Sequence, residues 1–246
     1  MKNLTYTLVL LSGFLVSAAV TANAQNSTMD DVHLFQSFFR DAPIANGPYG
    51  EAVFNYSDFD FNQRMTYGAQ GGYGLTENIQ LAAGIFYRSI DFGEPGTESA
   101  LADIPVYGLY NFVSGNTKFS GGAYATLPVG DEIIAEGDLD FGVFGAVRHP
   151  ASEQVVLTGT LGIDFLETGI DREASLYLGA GVIYAANDRL SIVNELSIQS
   201  DIDYSALSSG IDYKMGDFIR FRAALLLGVD DAAPDYGLTG GILLVL

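Results

Sequence analysis

The chain has 246 residues and no cysteine, which excludes a disulfide framework, a thiol nucleophile and a thiolate metal site. Thirty Asp and Glu stand against eleven Lys and Arg, a formal charge of −19, and nucleic acid is excluded as a partner because it needs a basic footprint. Hydrophobic residues make up 48% of the chain and mean hydropathy is +0.22, yet past the first residues no apolar run reaches the about 18 that a spanning helix requires, so a helical membrane bundle is excluded as well.

Residues 1–24 read as a signal peptide: Lys2, a mostly apolar run from Leu4 to Val20, then Ala22-Asn23-Ala24 as a small-x-small cleavage site. Gln25 is not Cys, which excludes lipoprotein anchoring. Loss of the leader removes Lys2 and leaves the mature chain one unit more negative. Residues 25–48 form a separate N-terminal segment. Thr28 with Asp31 resembles a capping box, and Val32, Leu34, Phe35, Phe38 and Phe39 fall on one side of a helix, opposite His33, Gln36, Ser37 and Arg40. A short amphipathic helix ending before Pro43 is expected, with an extra strand as the alternative.

From Tyr49 onward the period changes to two. In 190–199, Leu190, Ile192, Asn194, Leu196 and Ile198 alternate with Ser191, Val193, Glu195, Ser197 and Gln199, so each set has one exception. Segments of this kind recur to the last residue, at 49–57, 62–73, 79–92, 101–113, 118–127, 138–148, 154–166, 174–186, 189–199, 204–214, 218–229 and 236–246. Tight connections (74–78, 114–117, 150–153, 187–188, 215–217) alternate with mostly longer, acidic ones (58–61, 93–100, 128–137, 167–173, 200–203, 230–235). Short periplasmic turns alternating with outer loops are how bacterial barrels are built. The fold expected for residues 49–246 is therefore an all-β, antiparallel transmembrane β-barrel of about twelve strands; ten and fourteen also fit. Its apolar face meets lipid, its polar face lines the lumen, and both termini are periplasmic. The N-terminal segment then lies in the barrel mouth as a plug or on the inner-leaflet surface. The implied location is the cell outer membrane, with its lipid and lipopolysaccharide as partners. Oligomeric state is not assigned.

Parity assigns each charged strand residue a face. Opposite to the apolar set of their strands, Arg64, Arg88, Asp103, Lys118, Arg148, Glu195, Asp212, Arg220 and Arg222 point inward, with Asp212 close to Arg220 across a hairpin. The ladder has two readings: charge pairs that close a narrow interior, or a track led by Arg88, Arg220 and Arg222 that selects anionic or polar solutes. About half of the acids fall on the outer rim, where Asp230, Asp231 and Asp235 are the tightest cluster for Ca²⁺ or Mg²⁺ bridging lipopolysaccharide phosphates. No other cofactor is implied. Glycines inside strands, such as Gly68, Gly84 and Gly122, let a small barrel bend and let aromatic rings lie across the backbone. With no Trp, Tyr and Phe near strand ends must form the interfacial girdles alone.

His33 and His149 are the only histidines; both are read as polar surface residues. That leaves a Ser-His-acid constellation at the rim or lipid face without a base, and Gly-x-Ser-x-Gly is absent, so no enzyme is assigned. The function expected is an outer-membrane channel or transporter-like barrel for small solutes, organic or anionic. Its rival is a closed structural or surface-interaction barrel.

Ala125-Thr126-Leu127-Pro128-Val129-Gly130-Asp131, followed by Gly137-Asp138-Leu139-Asp140-Phe141-Gly142, resembles the outer-membrane barrel family described as components of the meta-pathway of phenol degradation. Asn194-Glu195-Leu196 is similar to that family's later strands, and the likeness spans about 107–246. It implies a transporter-like barrel for small organic compounds. Val129 stands where Thr is expected, and Leu246 stands where such barrels usually end in an aromatic residue.

Overall fold

A computed structural model describes residues 29–93, 96–131, 139–167 and 172–246. The leader 1–24 and Thr28 of the expected capping box lie outside these residues. Period-two alternation becomes strand because a membrane-embedded sheet needs every backbone group paired and only one face apolar. The strands are β1 (Pro48–Phe59), β2 (Asn62–Thr76), β3 (Ile79–Asp91), β4 (Thr97–Leu101), β5 (Ile104–Ser114), β6 (Lys118–Leu127), β7 (Asp140–Pro150), β8 (Val155–Glu167), β9 (Arg172–Ala185), β10 (Leu190–Gln199), β11 (Tyr204–Lys214), β12 (Ile219–Gly228) and β13 (Tyr236–Val245). Each pairs antiparallel with its neighbour, and β1 pairs with both β2 and β13, so the sheet closes on itself.

Strands β4 and β5 both pair with β3 and are separated only by Ala102 and Asp103. They form one wall element in two pieces, which makes a twelve-strand barrel. β4 occupies the second half of the expected loop 93–100; its Ser99 hydroxyl donates to Ser89 at 2.8 Å. This extension carries no apolar alternation, which is why the sequence reads it as loop.

The faces follow the expected parity. Leu161 is 56% exposed on the outside, whereas Thr160 beside it is 5% exposed on the inside. Outward Tyr67 and Tyr87 pair at 5.3 Å between ring centres, and the Phe86 ring lies across both Gly68 and Gly84. At the end that carries the last strand residue, turns are short and tied by their own side chains. Asn187 Oδ1 accepts the Arg189 and Leu190 N–H groups at 2.9 and 3.0 Å, and Thr76 Oγ1 accepts those of Asn78 and Ile79. We call this the turn end and the opposite one the loop end.

Among the described residues, the expected N-terminal helix is reduced to a single 3-10 turn, Met29–Asp31. Residues 32–47 run as an irregular arch inside the barrel, in from the turn end and back to it. The apolar set was placed correctly: Val32, Leu34, Phe38 and Phe39 are buried. What defeats the helix is the wall, whose side chains take the backbone N–H and C=O groups that a helix would bond to itself.

Candidate functional site

The lumen is organised by inward charges fixed on rigid strands. Asp212 on β11 accepts from Arg220 Nε at 2.6 Å and lies 3.4 Å from Arg222 Nε, and Arg222 Nη1 donates to Glu51 on β1 at 2.9 Å. The cross-strand register places Asp212 opposite Arg222 and Lys214 opposite Arg220, so the hairpin itself sets these distances. Two guanidiniums and two carboxylates thus neutralise one another, as a buried network must. Gly241, opposite Val53 and Arg222 in its two ladders, leaves the space that the Glu51 carboxylate fills.

This network also holds the arch. Arg222 Nη2 donates to the carbonyls of His33 and Leu34 at 2.6 and 2.9 Å, and its guanidinium lies 4.4 Å over the Phe35 ring. Glu195 on β10, 1% exposed, accepts the backbone N–H groups of Phe35, Gln36 and Ser37, the last two at 3.0 and 3.1 Å. Arg148 on β7 donates to the carbonyls of Met29 and Val32, each at 2.9 Å, and pairs with Asp41. Arg40 pairs with Asp164 on β8 at 3.0 Å and stacks on the rings of Tyr124 and Tyr177. The hydroxyls of Thr160 and Ser120 donate to the carbonyls of Arg40 and Ala42, and Gln80 Oε1 accepts the Ala45 N–H. Lys118 pairs with Asp30 at the turn end. Apolar contacts complete the fit: Met29, Val32 and Leu34 pack on Val156, Ile183 and Val193. Val193, the inward exception on β10, is apolar because the arch presses on it.

His33 corrects a sequence expectation. It is no surface residue; its ring stacks between Phe38 and Tyr49 at 4.7 and 4.6 Å. Burial, reinforced by Arg222, Arg148 and Arg220, lowers its pKa well below the usual 6.5, so the ring is neutral. Burial raises Asp41 against the pull of Arg148. His149 is exposed and bonded to Thr117 at 2.8 Å.

Above the arch, toward the loop end, the lumen is hollow. One cavity of about 320 Å³ is walled by Arg64, Arg88, Arg222, Glu51, Gln70 and hydroxyl or amide side chains, with Phe35 of the arch in its floor. An adjoining cavity of about 250 Å³ shares Phe35, Asn55, Ser57 and Thr239 with it. Across the arch a third, of about 470 Å³, is lined by Arg40, Asp140, Asp164 and Glu167.

Of the residues singled out from sequence, Arg64, Arg88, Glu195, Asp212, Arg220 and Arg222 all face the lumen, with Lys118 and Arg148. Asp103 does not join them: it sits between β4 and β5 and accepts the Gly130 N–H at 2.8 Å, bracing an outer connection. Asp230, Asp231 and Asp235 remain separate and exposed; among the described residues no group of three His, Cys, Asp or Glu side chains is arranged to hold a metal. Glu51 and Asp164 escaped the sequence reading although parity on β1 and β8 marks both as inward. Arg40 and Asp41 had no such signal, because an irregular segment has no period.

No family model and no curated protein matches the chain. Solved structures do. The fold is similar to an outer membrane channel from Pseudomonas putida F1, with TM-score 0.67 at 11% identity over 85% of this chain and 98% of that one. It is also similar to the NanC porin (TM-score 0.59, 10% identity, 80% and 100% covered) and to the KdgM porin (0.56, 8%, 80% and 99%), which has also been solved in complex with disordered oligogalacturonate. At these identities the likeness is one of fold: a closed antiparallel barrel of the kind found in outer-membrane channels.

Proposed function

We propose that this protein is an outer-membrane channel for small solutes, exported by residues 1–24, held closed at its turn end by its own N-terminal segment, and related to the phenol-degradation meta-pathway barrels. One observation carries the proposal: the arch 29–47 fills the lumen through contacts that are largely polar and come from another part of the chain. A barrel of about eight strands is filled by its own side chains, and twelve leave a bore that they do not fill. Here an added segment occupies the bore, held by Arg148, Glu195 and Arg222, whose bonds water or solute can replace when the segment leaves. The short turns support a periplasmic turn end, and the acidic loop end then faces outward, toward lipopolysaccharide.

The test uses the absence of native cysteine. A Cβ on Gly179 would lie 3.2 Å from Ser37 Oγ, a separation suited to a disulfide. The variant Ser37→Cys/Gly179→Cys, refolded into planar bilayers, is expected to be silent when oxidised and to conduct in bursts when reduced. A folded, reduced protein that never conducts would instead favour the closed, surface-interaction barrel.

A further inference from the structure

We propose that the cage filled by the Arg40 side chain is a binding site for a small guanidinium-bearing solute, which enters from the loop end and takes the place of that side chain; this rests on the channel reading and names its solute class. The Arg40 guanidinium pairs with Asp164 at 3.0 Å. Its central carbon lies 4.6 and 4.5 Å from the ring centres of Tyr124 and Tyr177, and 5.9 Å from that of Phe144. These four partners stand on β6 to β9, so the wall alone builds the cage and the arch supplies only its occupant.

Strand register sets the cage. Gly142 on β7 stands opposite Tyr124 on β6 and Asp164 on β8, and its missing Cβ leaves the space that the Tyr124 ring and Asp164 Oδ1 occupy. Tyr177, opposite Gly162, is the diagonal neighbour of Asp164 on the same face. From β10, the Ser197 hydroxyl meets that of Tyr177 at 3.3 Å, and Gln199 Nε2 donates to Asp164 at 3.3 Å. Asp164 is 1% exposed, so a cage emptied of its cation would strand a carboxylate. Aromatic rings beside a carboxylate suit a flat cation better than a neutral group of the same shape.

The exchange needs only one side chain to move. The Arg40 backbone is held separately: its N–H donates to the Ser37 carbonyl at 3.0 Å, and its carbonyl accepts from Thr160 at 2.6 Å. Beside the cage lies the 470 Å³ hollow, bordered by Arg40 itself and by Asp140 and Glu167 at the loop-end tips of β7 and β8. Glu167 pairs with Arg172 at 3.2 Å, and Asp140 accepts the Glu167 N–H at 2.8 Å. A displaced Arg40 guanidinium thus turns into a polar, acid-bordered space, and Leu166 and Ile202 give the solute's hydrocarbon tail an apolar surface.

The experiment is calorimetric titration of the purified protein in detergent with butylguanidinium and, as its uncharged isostere, butylurea. The wild type is expected to bind butylguanidinium at least about tenfold more tightly than butylurea. Arg40→Ala should bind it at least about tenfold more tightly still, because the tethered competitor is gone. Adding Asp164→Asn to that variant should abolish the preference, with heat-modifiable migration reporting an intact barrel. Equal binding of the two probes by the wild type, binding of neither, an Arg40→Ala variant no tighter than the wild type, or a preference that survives in the folded double variant would overturn the proposal. Should a variant fail to fold, the wild-type preference decides: its presence supports the cage and its absence overturns it. Because binding is read without flux, a failure here beside disulfide-gated conductance condemns the solute class alone, whereas cation binding without conductance condemns the channel.

Discussion

The two ends of one lumen are built from the same kind of residue and behave in opposite ways. Toward the turn end, Arg148 and Arg222 are paired with carboxylates and also donate to carbonyls of the arch, Glu195 accepts three arch N–H groups, and Arg220 is paired with Asp212. Toward the loop end, Arg64 and Arg88 are among the residues that line a cavity with Phe35 in its floor. An inward charge therefore has no fixed meaning in such a barrel. Where the arch reaches it, it becomes a clasp; beyond the arch, it lines a hollow.

The sharpest way to break this contrast is to remove the group that serves both the network and the arch. Arg222→Ala should weaken docking of residues 29–47 by about 3–5 kcal/mol, since it strands the Glu51 carboxylate and the carbonyls of His33 and Leu34. Hydrogen exchange would show the arch amides losing protection while those of β5 to β8 keep theirs. Uniform loss across the wall would mean that the arch and barrel are one cooperative unit.

A smaller effect follows from His33. Its pKa is lowered in the docked arch, so below 6.5 the released arch binds more protons than the docked one. Docking is thus fully supported above 6.5 and weakens as the pH falls through the docked value. Asp41, raised by burial, acts with the opposite sign, its contribution being lost as the pH rises through its docked value. His33→Phe keeps the stack on Phe38 and Tyr49 and isolates the imidazole. Its arch protection should match the wild type at pH 8 and exceed it at pH 5; a constant difference at both would reject the proton linkage.

The smallest effect is expected at the exposed turn pair Lys214 and Asp217, 3.6 Å apart. Lys214→Ala should change barrel stability by less than about 0.5 kcal/mol, because solvent screens such pairs. A larger loss in urea unfolding would show that turn-end charges outside the lumen also hold the clasp.

The sequence by itself determined the wall: a period of two fixes which residues face in, and obligatory backbone pairing in lipid turns twelve alternating segments into a closed sheet. It therefore reached Arg64, Arg88, Glu195, Asp212, Arg220 and Arg222, and parity held Glu51 and Asp164 as well. It did not reach the arch. Residues 29–47 have an amphipathic pattern whose local optimum is a helix, and only the surrounding wall offers their N–H and C=O groups better partners. Whether an inward charge holds this segment or faces a hollow depends on contacts between residues more than a hundred positions apart, such as Ser37 with Glu195 and Arg148 with Val32. No local period encodes such pairings, so only the tertiary structure decides them.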